Sequence, residues 1–212
     1  MSEIQTPQRP NPEFAVPATR ERLESVAEAL RNHGMRALVA ADRDEAKRLV
    51  LEQLPEGAQV HQGASVTLDT IGVTEVIEKS GRYDAVRPRT YALDRETQMD
   101  EIRRLGASPD FMLGSVHAVT DEGSLVVASA SGSQIGAYAS GAGQVILAVG
   151  SQKVVPDLKT ALRRIDEYTF PLEDERAQSA YGMHSALNQL LVINGGFSSR
   201  ITVILIDEPL GF

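Results

Sequence analysis

The sequence predicts an α/β fold, a mostly parallel sheet flanked by helices, with a β-hairpin near residues 115–129. Three observations carry this reading. Short apolar runs alternate with amphipathic helical stretches through the first half of the chain, the rhythm of strand–helix crossovers. Val145–Val149 is apolar at every position, the pattern of a strand buried on both faces. Two β-rich runs, Ser115–Thr120 and Ser124–Ser129, are separated only by Asp121, Glu122 and Gly123, a linker that suits a tight turn.

Taken in order, residues 1–17 hold four prolines and few apolar side chains, which predicts a tail outside the core; the domain proper is expected over 18–212. Leu23, Val26, Ala27 and Leu30 recur at helical spacing before Gly34, so residues 18–32 form a first helix. Met35–Ala40 reads as a strand. Asp42 and Glu45 have capping-box spacing and open a helix whose stripe is Ala46, Leu49, Val50 and Leu54. Gln59–Gln62 reads as a second strand, followed by a helix carrying Leu68, Ile71 and Val76, and Tyr83–Val86 as a third. Residues 94–105 read as a helix, as do 157–168. Residues 169–182 read as polar and irregular, 185–192 as a short helix, and Ile201–Ile206 as a last strand.

Composition narrows the functional classes. A chain of 212 residues buries roughly 70% of its unfolded surface and needs no disulfide or metal to hold a core. With no cysteine, the chain offers no disulfide, thiolate nucleophile, iron–sulfur ligand or cysteine-based zinc site. The net charge of −8 argues against a sequence-independent grip on nucleic acid, which relies on neutralising many phosphates. Arg82–Arg89 is the densest basic stretch and reads as a solvated loop after a strand. The opening residues lack a secretion signal and no stretch reaches bilayer-spanning length, so a cytoplasmic protein is expected.

Candidate chemistry lies in loops. The small-residue run Ser131–Gly143 lets backbone N–H groups approach a ligand, and Gly132, Ser133 and Gly136 are its candidate contacts; the same residues would also serve close packing of a helix on the sheet. Gly63, Ser65 and Thr67 stand where a strand passes into a helix, a place that favours anions, with Ser65 equally suited to capping that helix. Glu122 is the candidate catalytic carboxylate, a general base or an acyl-accepting nucleophile if it faces a cleft and a turn residue if it does not. Lys153 is a candidate for pairing with a substrate anion or with Glu122. The four histidines, His33, His61, His117 and His184, lack metal-site spacing, so no metal is expected, and no motif names a cofactor.

Gly63–Gly72, Val119–Val127 and Val145–Val154, with the glycine-rich run between the last two, resemble the LUD domain family, the family of lactate-utilisation protein C, over most of residues 20–207. In that family a Glu-Thr-Gly-Thr segment leads into an apolar strand; Glu122-Gly123-Ser124 is similar to it, with one residue fewer before the hydroxyl. The resemblance implies a fold like ribose-5-phosphate isomerase, glucosamine-6-phosphate deaminase and CoA transferases, with a ligand cleft at the ends of the parallel strands and Glu122 near the reacting centre. It implies a small anionic ligand (an organic acid, acyl-CoA or sugar phosphate) and a role in oxidising L-lactate to pyruvate beside iron–sulfur partner proteins. Two features depart from the lactate-operon pattern: Gly132–Tyr138 lacks the arginine expected there, and the ending Ile206–Phe212 looks like a stand-alone branch. The competing expectation is a non-catalytic subunit that organises the iron–sulfur partners; a stable complex with such proteins favours it, whereas a lone homo-oligomer favours independent ligand binding.

Overall fold

The computed structural model describes residues 9–197 and 199–212. Its centre is a six-stranded parallel sheet built from β1 (Arg36–Ala40), β2 (Gln59–Gln62), β3 (Asp84–Ala85), β4 (Phe111–Gly114), β7 (Gln144–Gly150) and β10 (Ile201–Ile206), in the order β1-β10-β7-β4-β2-β3. A second, four-stranded sheet has the order β8-β5-β6-β9, from β5 (Ala118–Thr120), β6 (Leu125–Ser129), β8 (Val154–Val155) and β9 (Gln189–Ile193). β5 and β6 form the antiparallel hairpin, and β8 joins β5 in parallel.

The helices are α1 (Arg20–Asn32), α2 (Arg43–Glu52), α3 (Val66–Thr70), α4 (Val73–Lys79), α5 (Val86–Ala92), α6 (Met99–Ala107), α7 (Leu158–Arg164) and α8 (Phe170–Tyr181). Alternation along β7 and β10 assigns the faces. Ile146, Ala148, Ile204 and Ile206 pack with Ala46 and Val50 of α2, Leu68 of α3, and Val73 and Ile77 of α4. Val145, Leu147, Val149, Val203 and Leu205 face Leu23, Val26, Ala27 and Leu30 of α1 together with Val119, Leu125 and Val127 of the second sheet. The far side of that sheet packs Ala118, Val126 and Ala128 against Ala161 and Ile165. The parallel sheet thus has helices on one face, and a helix plus a second sheet on the other.

Several sequence expectations are corrected. Residues 169–182 are helical: α7 passes through a π-helical turn, Ile165–Thr169, into α8. α8 was hidden because it is polar nearly all round, with Ala177 its one buried residue, and so carries almost no periodic signal. Residues 185–192 give no helix; Gln189–Ile193 pairs antiparallel with β6 across five residue pairs. Phe111–Gly114, which has no expected counterpart, is a strand of the main sheet, between β2 and β7. The basic stretch 82–89 is largely β3 and α5, and its arginines are paired: Arg82 with Glu56, Arg87 with Glu78, Arg89 with Asp84. In the expected tail, residues 1–8 lie outside the described residues, while Phe14 is buried and lies under the Arg163 guanidinium. Among the described residues, no helix is long and apolar enough to cross a membrane.

The small-residue run behaves as a packing element at its far end. Tyr138, fully enclosed, donates from its hydroxyl to the Ser115 carbonyl at 3.4 Å. A Cβ on Gly114 would overlap that hydroxyl. Gly114→Ala should therefore destabilise the protein by about 1–3 kcal/mol through overpacking. In urea unfolding, the double variant with Tyr138→Phe should lose less than the sum of the two single changes, because one clash is shared.

Candidate functional site

β2, β4, β7 and β10 run in parallel, so the segments that follow them emerge on the same edge of the sheet, the usual ligand edge of open parallel sheets. Gly63–Thr67 follows β2, Ser115 follows β4, Ser151–Lys153 follows β7 as a 3-10 turn, and Asp207–Phe212 follows β10. Their side chains meet at Lys153. Its Nζ donates to Thr67 Oγ1 at 3.1 Å and to Ser115 Oγ at 3.0 Å. Lys153 is 2% exposed and has no carboxylate partner among the described residues. Burial and the nearby Arg164 charge hold its amine well below the ordinary lysine range.

Arg164 is also wholly buried without an acidic partner among the described residues. Its Nε donates to the Gln152 carbonyl at 3.2 Å, and Nη1 donates to the His117 carbonyl and, at 2.9 Å, to Thr169 Oγ1. Nη2 finds no hydrogen-bond partner among the described residues, and the guanidinium lies 5.1 Å from the centre of the Tyr168 ring. Burial lowers Arg164 to about 10, so it keeps its charge at neutral pH while Lys153 next to it tends to give its proton up. His117 is half-buried; its Nδ1 accepts the Ala128 N–H at 3.1 Å. Burial, with Lys153 and Arg164 adding repulsion, pushes it down to about 3.

The segment after β10 covers this cluster. Gln152 grips it at both backbone groups: Leu210 N donates to Gln152 Oε1 at 3.1 Å, and Gln152 Nε2 donates to the carbonyls of Leu210 at 3.1 Å and Gly211 at 2.7 Å. Thr67 Oγ1 donates to the Leu210 carbonyl at 3.3 Å. Gly211, at φ +67°, lies so close that an added Cβ would be 3.3 Å from Lys153 Nζ and would overlap Thr67 Oγ1. Further out, Ser151 N donates to the Glu208 carbonyl, and Arg43 holds the Glu208 carboxylate.

The sequence-nominated residues divide into two groups. Thr67 and Lys153 are joined directly. Gly63 faces the 131–136 loop, a Cβ there lying 3.9 Å from Gln134 Cβ, so the two small-residue loops meet at this edge. Ser65 caps α3, accepting Leu68 N at 3.3 Å. Gly132 takes φ +74° and donates its N–H to Ser129 Oγ at 2.9 Å; Ser133 and Gly136 are exposed. Glu122 stands apart. It is exposed on the β5–β6 turn, where Gly123 N donates to the Thr120 carbonyl and Asp121 pairs with Arg22 of α1, and no hydrogen bond or ion pair joins it to Lys153 among the described residues. Ser115, Gln152, Arg164 and Leu210 were not nominated. Arg164 carried one sequence signal: it falls in register with Ala161 and Ile165 on the apolar stripe of its helix, where an arginine has no solvent to face.

Fold and edge together define an α/β protein whose parallel strands deliver hydroxyls, an amine and small-residue loops to one place. The LUD domain matches residues 23–190, and the chain belongs to that family. A crystal structure of a DUF162 family protein from Deinococcus radiodurans shares the fold, with a TM-score of 0.56 at 13% identity, over 90% of this chain and 99% of that one. A search of curated proteins gives no match.

The depressed histidines set a pH response. His61, buried between β2 and α6 with Nδ1 lacking a partner among the described residues, is pushed down to about 4 by burial and by Arg87. Below about pH 6.5 the unfolded chain takes up protons that folded His61 and His117 refuse, so stability present above that pH is lost as pH falls toward 4. Each contributes a slope of up to about 1.4 kcal/mol per pH unit. Denaturant unfolding between pH 7 and 4 should show this decline, and His61→Gln should flatten it.

Proposed function

We propose that this LUD domain binds a small organic anion at the carboxyl edge of its parallel sheet, in support of the utilisation of lactate or a related organic acid, with Lys153 meeting the charge. One observation carries the reading: a buried amine and a buried guanidinium share this edge with no carboxylate to balance them among the described residues. Such an arrangement is costly in an empty protein. An incoming carboxylate or phosphate offsets the Arg164 charge and lets Lys153 take up a proton, so binding converts the cost into affinity. Thr67 and Ser115 supply hydroxyl donors, and the facing loops 63–67 and 131–136, with Gly63, Ser65, Gly132, Ser133 and Gly136, wall the cleft toward β2. The ligand replaces the backbone of Leu210 and Gly211, which now sits on Thr67 and Gln152.

Glu122 enters the same reading for larger ligands only. A small acid engages the Lys153 end, whereas an acyl-CoA or sugar phosphate that extends to the 121–123 turn brings Glu122 into play as base or acyl acceptor.

A second reading, a subunit that organises iron–sulfur partner proteins, draws support from a groove in which Leu162 of α7, Leu187 and Leu190 of β9 are exposed beside Asp166 and Asn188. Co-purification of such proteins with the native chain, and no ligand response, would favour it.

The test is a thermal-shift series with lactate, pyruvate, CoA, acyl-CoA and a sugar phosphate. A true ligand at a hundred times its dissociation constant adds about 2.7 kcal/mol of stability. Lys153→Met should abolish that shift while leaving the unliganded melting temperature equal or higher, because exchanging a desolvated charge for an apolar chain is neutral to stabilising. Glu122→Gln should leave the shift with small acids intact and weaken only that with an extended ligand. A full shift in Lys153→Met would overturn the assignment.

A further inference from the structure

We propose that Lys153 is a nucleophilic amine that condenses with a carbonyl-bearing acid, a 2-oxo acid, to form an imine in the cleft it shares with Thr67 and Ser115. This rests on the anion-binding reading above and deepens it by naming the substrate class.

The geometry supplies each requirement. A neutral lysine amine has two N–H donors and one lone pair. The two neighbours of Nζ are hydroxyl oxygens, Thr67 Oγ1 and Ser115 Oγ, and Nζ donates to both. The Thr67 hydroxyl proton is directed to the Leu210 carbonyl, and that of Ser115 has the Val116 carbonyl in reach at 3.4 Å, so neither claims the lysine lone pair. No carboxylate among the described residues stands by to keep the amine protonated. Arg164, a neighbouring cation, works in the same direction.

The second observation is that a backbone carbonyl is held by two side-chain donors beside this cluster. The Leu210 C=O is held by Thr67 Oγ1 at 3.3 Å and Gln152 Nε2 at 3.1 Å, and Gly211 follows it directly against Lys153 Nζ. The backbone at 210–211 is thus read as a stand-in for the substrate, and its displacement also withdraws the buried Leu210 side chain from its apolar cluster. When it moves aside, the same two donors can polarise the ketone of a 2-oxo acid, with the amine beside its carbon. Arg43 and Glu208 lie outside this contact and anchor the segment while its end lifts.

The step balances without a redox partner. The Nζ lone pair attacks the carbonyl carbon, forming a C–N bond, and the carbonyl oxygen takes the proton lost from nitrogen, with the Thr67 and Ser115 hydroxyls within 3.1 Å to relay it. The carbinolamine then breaks its C–O bond and releases one water, so amine plus ketone gives imine plus water. The carboxylate of a 2-oxo acid offsets the Arg164 charge while the amine is consumed as the imine, whereas an acid without a ketone leaves the amine free to take up a proton.

The chain has four lysines, Lys47, Lys79, Lys153 and Lys159, so the modified residue can be mapped without any variant. The full chain is incubated with pyruvate and sodium cyanoborohydride, digested, and the reduced adduct located by mass spectrometry. Lys153 should be modified at least roughly tenfold faster than exposed Lys79 and Lys159, since each unit by which an amine's pKa is lowered raises its free-base fraction about tenfold. Lactate, which has no ketone, should form no adduct and should slow the reaction at Lys153 alone. If pyruvate raises the melting temperature yet Lys153 stays unmodified, the imine is overturned and the anion site stands. If adducts form only on the other lysines and no shift is seen, both fall. Modification of Lys153 by acetaldehyde but not by pyruvate would overturn the choice of a carboxylate-bearing substrate.

Discussion

Two basic side chains, Lys153 and Arg164, lie inside the protein with hydroxyls and carbonyls around them and no carboxylate among the described residues. A buried charge is normally paired, because the desolvation it suffers is otherwise uncompensated. Here the compensation is partial: Arg164 is held by backbone carbonyls and the Tyr168 ring, and Lys153 is driven toward its neutral form. Exchanging a desolvated charge for a well-packed apolar side chain is commonly neutral to stabilising. On the proposed reading, the unbalanced charge is a provision for an anion that arrives from outside.

The topology creates this arrangement. Strands β4, β7 and β10 are adjacent or nearly so in the order β1-β10-β7-β4-β2-β3 and share one direction, so the residues just beyond them converge although they are far apart in sequence. The side-chain hydrogen bonds that join Thr67, Ser115, Gln152, Lys153 and Leu210 span between 38 and 143 residues of chain. The second sheet fixes the rest. β8 begins directly after Lys153 and pairs with β5, so the lysine is pinned between the two sheets. The cover over the cluster is held by hydrogen bonds from Gln152 and Thr67, by the Ser151 N–H on the Glu208 carbonyl, and by the buried Leu210 side chain.

The sequence revealed those parts whose signal is local. The apolar run at 145–149 and the run at 201–206 became adjacent strands, the caps at Asp42 and Ser65 formed, and the hairpin around Gly123 closed as its spacing implied. Elements decided by partners were harder to read. The segment 187–193 has leucines at 187, 190 and 191, a spacing that suits a helix, yet Gln189–Ile193 is a strand because β6 offers an edge. β4 is four residues long and has no length from which a period can be read. At the site, Thr67 and Lys153 were legible as polar groups just past strand ends. Ser115 reads in the sequence as the first residue of the following β-run, and Gln152, Arg164 and Leu210 act through tertiary contacts that no spacing announces. Glu122 drew attention through its turn and its likeness to a family segment, and the structure places it on the solvent side of that turn.

The protonation state of Lys153 tests this account most directly. With only four lysines, a protein carrying 13C at lysine Cε gives a resonance for each that can be followed against pH. Lys153 should titrate well below the ordinary lysine value of about 10.4, and it should move toward the protonated position when a bound organic acid without a ketone saturates the site. A Lys153 resonance that titrates in the ordinary lysine range, with no response to any anion, would contradict it.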